Sequence, residues 1–311
     1  MIMLLSGHIH TFGYEIDKHT NFGKICKNYR FNVTLNTEST REHSRKRPVM
    51  KKRVLAQTKG FHMNLNRNPR HNFAARHAMA IYNSNSVYSF IPKNGCSTMR
   101  LSVALANGAI SNIQDFNWIH NNNQTFQPDL KMIMSAEYTF VILRNPFDRL
   151  ASVYLDKIVG KEIDAWNLRN QLNREINLDK LNFAEFVNYI RKPHLLNTNI
   201  HWRQQSDFLL YEKYDDYFMF EDFEKMTLSL EANIDFEVVD SRELIGHHVE
   251  QFDQLSGEYS NVPAQEIFRL KLEGRCPSHK SLYSKELKEI VRNVYSKDFD
   301  LIEEANLVNS K

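Results

Sequence analysis

From Val87 onward, apolar positions fall into two alternating kinds of run. Val87-Tyr88-Ser89-Phe90-Ile91 is β-prone and is cut off by Pro92, after which Lys93-Asn94-Gly95 supplies turn chemistry. From Ser97 the spacing becomes helical, with Thr98, Leu101, Ala104 and Leu105 on one face and Asn107-Gly108 as the C-cap. The unit recurs. Thr139-Phe140-Val141-Ile142-Leu143 is a continuous apolar run, the pattern of a buried parallel strand. Asn145 then reads as an N-cap, Pro146 as the first helical residue and Asp148 as the partner in an approximate capping box. Phe147, Leu150, Ala151, Tyr154, Leu155 and Ile158 carry that helix forward on one face. A further helix is predicted from Phe183 to Arg191, capped by Asn182 and stopped by Pro193. A buried strand is predicted at Tyr217-Phe218-Met219-Phe220, and a last helix after Ser284. Strands alternating with helices predict a mostly parallel α/β sheet flanked by helices, in a single domain.

Residues 1–80 lack this periodicity and read as a basic, weakly patterned extension before a domain spanning 81–305, with 306–311 as a tail. The 311 residues carry 40 Lys+Arg against 37 Asp+Glu, a net charge of +3. Ten Lys/Arg and one acid lie between Arg41 and Arg70, so the surplus is local and argues against a nucleic-acid surface over the whole protein. That arm reads either as a holder of an acidic partner, a charged glycan or nucleic acid, or as a solvated, disordered segment. Cys26, Cys96 and Cys276 are widely spaced and form no CxxC pair, which disfavours both a disulfide framework and a zinc ribbon. His8-x-His10 and His247-His248 lack a carboxylate or cysteine partner, so no metal site is expected. No stretch approaches the roughly 18 apolar residues of a membrane span. A soluble, cytoplasmic protein is the expectation.

The loop Pro92-Lys93-Asn94-Gly95-Cys96-Ser97-Thr98 delivers the chain into a helix N-terminus, where unpaired N–H groups and the helix dipole favour an anion. Gly95 permits close backbone approach, Ser97 and Thr98 add hydroxyls, and Lys93 precedes the glycine, unlike the lysine of GxxxxGK[ST]. A plain Asn94-Gly95 turn is the alternative. Arg144, at the end of a buried strand, and Ser152, two turns into the next helix, would make a second phosphate clamp. Otherwise they are a strand cap and a packing residue. Arg149 and Lys157 add positive charge or belong to a solvated face.

Together the two units resemble the sulfotransferase superfamily. Residues 90–98 look like its loop for the 5′-phosphosulfate of PAPS, and Leu143-Arg144-Asn145-Pro146-Phe147-Asp148-Arg149-Leu150-Ala151-Ser152-Val153-Tyr154 looks like its 3′-phosphate motif. The cysteine after the loop glycine, and the later His201-Trp202, look most like the carbohydrate (Golgi-type, family 2) branch, though without that branch's membrane anchor. The resemblance implies a P-loop-like fold. It also implies transfer of a sulfuryl group from PAPS to a hydroxyl or amine, with a carbohydrate as the expected acceptor. In such a scheme Lys93 assists the leaving group. Lys93, Asn94, Gly95, Cys96, Ser97, Thr98, Arg144 and Ser152 hold the nucleotide, and no metal is needed. His201 is the first candidate for general base, or else a structural histidine; Glu221 and Asp222 are its rivals. Gly274 to Tyr283 reads as a surface loop, or as a cover over the 3′-phosphate through Arg275 or Lys280. The rival functions are a P-loop-type kinase or nucleotide-binding protein, and an inactive binder of PAP or polyanions.

Overall fold

A four-stranded sheet is built in the spatial order β1 (Ala78–Ile81), β2 (Ser86–Ser89), β3 (Tyr138–Leu143) and β4 (Asp216–Met219). The computed structural model describes residues 51–122, 124–241 and 252–309. Strands β2, β3 and β4 run parallel, with Val87 beside Thr139 and Val141 beside Tyr217, while β1 joins the edge antiparallel. The mostly parallel α/β sheet flanked by helices is therefore the fold that the apolar runs predict. All six residues of β3 are buried. The period of two divides them between faces, Phe140 and Ile142 to one core and Val141 and Leu143 to the other.

Helices cover both faces, and those of eight or more residues are labelled here. The first face carries α2 (Cys96–Ala106), through Met99, Leu101 and Val103. Tyr88 stacks on Phe140 beneath it, at 4.9 Å between centroids. The second face carries α1 (Pro69–Arg76), through Ala74 and Ala75. Beyond β3 come α3 (Pro146–Val153), α4 (Ile163–Gln171) and α5 (Phe183–Ile190). With α8 (Lys285–Val294) they enclose a separate helical core around Tyr154, Phe183, Phe186 and Trp202. Two further helices, α6 (Phe223–Ile234) and α7 (Ala264–Leu272), and a two-stranded pair, β5 (Asp253–Leu255) with β6 (Arg275–Pro277), complete the layers.

Local chemistry explains most boundaries. Asn145 caps α3 by accepting from Phe147 N–H at 2.9 Å, and Pro146 follows at the first helical position. Asp148 does not close the expected capping box, because the Asn145 N–H instead donates to Glu221 Oε1 at 3.1 Å. A full capping box joins Asn182 and Glu185 at the start of α5. α5 ends at Ile190, before Pro193 as expected, and Pro193 also opens a short helix, Pro193–Leu196. The helix after Ser284 is not the last, since α9 spans Ser296–Asn309 and runs through most of the expected tail.

Residues 51–80 differ most from the sequence reading. Arg53 is buried and donates from Nε to Ala136 O (2.9 Å) and from Nη2 to Glu137 O (3.0 Å) and Asp215 Oδ2 (2.7 Å). Leu55 bridges to Tyr211, Asn68 caps α1, and Ala78 opens β1. An eight-residue helix and a four-residue strand are too short to show a period. The remaining expectations for residues 1–50, including Arg41–Met50 of the basic run and His8-x-His10, and for His247-His248, lie outside the described residues. No helix among the described residues is long and apolar enough to cross a membrane.

Asp215 ties this stretch to the sheet, accepting also from Thr139 N–H (2.8 Å) and Lys51 (2.8 Å). Burial disfavours its charge, but Arg53 and Lys51 outweigh that and hold the carboxyl below its ordinary range. A depressed folded-state value contributes stability above the unfolded carboxylate range, and that stability is lost as pH falls through it. Asp215→Ala is expected to cost about 1.5–3 kcal/mol at pH 7 in urea denaturation. The gap to the parent should shrink below about pH 4; an equal gap at pH 7 and pH 3 would refute the linkage.

Candidate functional site

The C-terminal ends of β2, β3 and β4 meet at one edge, where open parallel sheets bind ligands. A cleft of about 1580 Å³ opens there. Its first wall is the loop leading from β2 into α2. Gly95 is the N-cap, with φ +75°, and a β-carbon there would lie 3.2 Å from the Phe223 ring and 3.3 Å from the Phe220 ring. Both the left-handed backbone and the tight fit call for glycine. The first helical bond joins Met99 N–H to Gly95 O at 3.1 Å, so the amides of residues 95–98 lack an intrahelical acceptor. That helix end, with Lys93, Cys96, Ser97 and Thr98, lines the cleft.

Lys93 takes φ +73°, a conformation that costs a non-glycine residue on the order of 1 kcal/mol and recurs at functional sites. Its ammonium bonds Asp156 Oδ2 at 2.8 Å, and Lys157 approaches the same oxygen at 3.2 Å. Burial pulls the Lys93 ammonium below its usual value, against the attraction of Asp156. Burial likewise opposes ionisation of Asp156, yet the two lysines hold its carboxyl well below the carboxylate range. Asp156 is therefore a carboxylate, the charge that opposes loss of the Lys93 proton.

The second wall is β3 running into α3. Arg144 donates from Nη1 to Lys93 O at 2.8 Å and lies over the Phe220 ring, 4.5 Å from its centroid. Burial draws its guanidinium down to about 10, against Glu221 and Asp148, so it remains cationic. Its Nε is buried with no partner among the described residues, a donor that an anion would satisfy. Asp148, Ser152 and Asp156 follow at intervals of four and all line the cleft. A π turn over Tyr154–Ile158 carries the last of them.

The third wall is the segment around residue 200. His201 lines the cleft, and its Nδ1 lies 2.8 Å from Oδ1 of Asp164, near the start of α4. Asn199 donates to the same oxygen at 2.6 Å and accepts from His201 N–H at 2.8 Å. Burial disfavours charge on Asp164, but these hydrogen bonds hold its carboxyl below the ordinary range. Arg149 is not on a solvated face. It is buried and donates to Pro92 O (3.0 Å), Arg203 O (2.8 Å) and Ile200 O (3.2 Å), joining the first and third walls.

Of the residues expected at the nucleotide, Lys93, Gly95, Cys96, Ser97, Thr98, Arg144 and Ser152 line the cleft together with His201. Asn94 does not. Its side chain is fully buried and donates to Ile142 O (2.8 Å) and Gln205 Oε1 (2.7 Å), because an amide beside the strand ends is needed there. Thr98 is mostly spoken for by a 2.7 Å bond to Ser241. Among the rival bases, Glu221 lines the cleft but accepts from Asn145 N–H, while Asp222 stands before α6 without a side-chain capping bond. In the Gly274–Tyr283 stretch, Arg275 pairs with Glu273 on the surface, whereas Ser278, His279 and Lys280 reach the cleft. His279 is held by Asp148 at 3.1 Å, and that bond, against burial, keeps the Asp148 carboxyl low. Sequence reasoning missed Asp156, Asp164, Gln205 and His279. Only Asp156 carried a signal, its helical spacing from Ser152.

A family model described as the sulfotransferase family matches residues 76–303, most of the chain. Human carbohydrate sulfotransferase 10 is 27% identical over 121 residues, a match covering 33% of this chain and 34% of that protein. The matched region thus spans about a third of the curated relative's length. No solved structure matches significantly.

Gly95→Ala is expected to destabilise the fold by about 1–2 kcal/mol through its left-handed backbone alone. Movement of Phe220 and Phe223 would add to this and disturb Arg144. Thermal unfolding and the crystal structure of the variant check both effects; a parent-like melting curve would contradict them.

Proposed function

The chain belongs to the sulfotransferase family, and on that premise we propose that it transfers a sulfuryl group from PAPS to a hydroxyl of a carbohydrate acceptor. The observation carrying this reading is that Lys93, the α2 N-terminus, Arg144 and Ser152 all line one cleft at the carboxyl edge of the parallel strands. Its volume of about 1580 Å³ exceeds the roughly 300–1,000 Å³ of a one-ligand pocket, which suits two substrates side by side. Phe116, Asn117, His120, Glu224 and Thr227 extend the lining with aromatic and hydrogen-bonding groups suited to a hydroxyl-rich acceptor. The name of the human relative favours a carbohydrate.

In the proposed reaction Arg144 and Ser152 hold the 3′-phosphate, with the Arg144 Nε as an unused donor. The amides of residues 95–98 and the Ser97 hydroxyl hold the 5′-phosphate. Lys93 exchanges Asp156 for the oxygen bridging phosphorus and sulfur. An acceptor oxygen attacks sulfur in line, a new S–O bond forms as the bridging S–O bond breaks, and the electron pair leaves on the phosphate of PAP. Lys93 stabilises that charge as it develops. The acceptor's proton passes to His201. Asn94 serves this scheme by shaping the loop rather than by touching the nucleotide.

Calorimetry with PAP and with ATP tests the donor. PAP should bind without Mg²⁺, and Lys93→Ala or Arg144→Ala should each weaken it by about 30-fold or more, equivalent to about 2 kcal/mol. Mg²⁺-dependent preference for ATP would instead favour the kinase reading. For the base, His201→Ala should leave PAP affinity unchanged while labelled-sulfate transfer to a glycan panel falls by about 10²-fold or more. Undiminished transfer would remove His201 from the mechanism.

A further inference from the structure

We infer that Asp164, supported by Asn199, is the positioning residue that fixes the tautomer and aim of His201. The argument starts from which atoms can donate. Asp164 is ionised, so its Oδ1 can only accept, and it lies 2.8 Å from His201 Nδ1. Asn199 Oδ1 lies 3.2 Å from the same nitrogen, and its amide nitrogen is turned to Asp164. Two acceptors facing one ring nitrogen require that nitrogen to carry hydrogen. Neutral His201 is therefore the Nδ1–H tautomer, with the lone pair on Nε2. The ring cannot flip without breaking both contacts.

The backbone is held as firmly as the ring. His201 N–H donates to Asn199 Oδ1 at 2.8 Å, and Arg149 grips the carbonyls of Ile200 and Arg203 on either side. Asp164 is almost wholly buried while His201 retains access to the cleft, with side-chain exposures of 9% and 22%. A buried, ionised carboxylate behind a cleft-facing imidazole does two things for a base. It removes the wrong tautomer, and it places a negative charge beside the imidazolium formed when a proton arrives. A histidine that merely packed a loop would need neither the buried charge nor the second acceptor.

The consequence for rate rests on the proposed role of His201 as base, so the test separates the two. In full-length protein with ¹⁵N-labelled histidine, the His201 resonances, assigned by their loss in His201→Ala, should show the Nδ1–H tautomer. In Asp164→Ala they should relax towards Nε2–H. An Nε2–H tautomer in the parent, or a tautomer indifferent to Asp164, overturns the inference with or without nucleotide present. In turnover, Asp164→Ala should lower kcat by about 10²- to 10⁴-fold with KM for PAPS nearly unchanged. Asp164→Asn, which keeps the bond from Asn199 and guards against misfolding, should lose less. In the His201→Ala background neither change should cost anything further. An additive loss there would make Asp164 merely structural and overturn the inference. Undiminished turnover in His201→Ala, with the tautomer as expected, would overturn the base assignment and leave the dyad's geometry standing.

Discussion

A single buried amide closes the working end of the sheet. Gln205 Oε1 accepts from Asn94 Nδ2 (2.7 Å) and from Arg144 N–H (3.0 Å), and its Nε2 donates to Arg144 O (2.8 Å). Parallel strands must stop somewhere, and the peptide groups just past their ends have lost their ladder partners. Left buried and unpaired, each such group costs about 1–3 kcal/mol. Gln205 satisfies both peptide groups of Arg144 and locks the neighbouring loop through Asn94. Its own N–H donates to Asp298 of α9 at 2.8 Å. The loop bearing Lys93, the strand end bearing Arg144 and the segment bearing His201 are thus registered against one side chain.

With that frame rigid, the electrostatics of the cleft follow. Lys93, Arg144 and Lys157 stand close together in a partly desolvated space, where like charges repel more strongly than in water. Asp156, Glu221 and Asp148 offset them, and the directions of the shifts record the balance, with Lys93 and Arg144 drawn down by burial and Asp156 drawn down by the lysines. Binding a polyanion to such a site is an exchange of one set of negative partners for another. The affinity that such a ligand would gain is therefore a difference, in which the carboxylates would count as much as the cations.

Much of this was legible in the chain. The apolar run over β3 and the capping signals at Asn145 and Asn182 read directly because their causes are local. The glycine turn into α2 at Gly95 and the placement of Arg144 and Ser152 at the cleft also followed from neighbours in sequence. Gln205 and Asp164 did not, since a buried amide or carboxylate is defined by what folds around it from 61 or 37 residues away. Arg149 misled for the same reason, since nothing in a helical wheel says that three distant carbonyls will claim it. The net charge was a poor guide as well, because half the charges that shape the cleft are acidic.

The turn that brings Asp156 to Lys93 shows how a local irregularity can set a site. Val159 N–H bonds Tyr154 O at 2.9 Å, five residues back, so the helix widens by one residue over Tyr154–Ile158. The widened turn drives the Asp156 carbonyl towards Gly160, where a β-carbon would lie 2.4 Å from it. Only glycine leaves room for that oxygen. An uninterrupted α-helix would advance each later residue by 100° and rotate Asp156 and Lys157 relative to Ser152. The glycine two residues beyond the π turn thus permits the backbone that aims both charges at the loop lysine. Such turns survive in proteins mainly where function holds them in place. In the proposed reaction this turn supplies Lys93 with the partner that an incoming anion would displace.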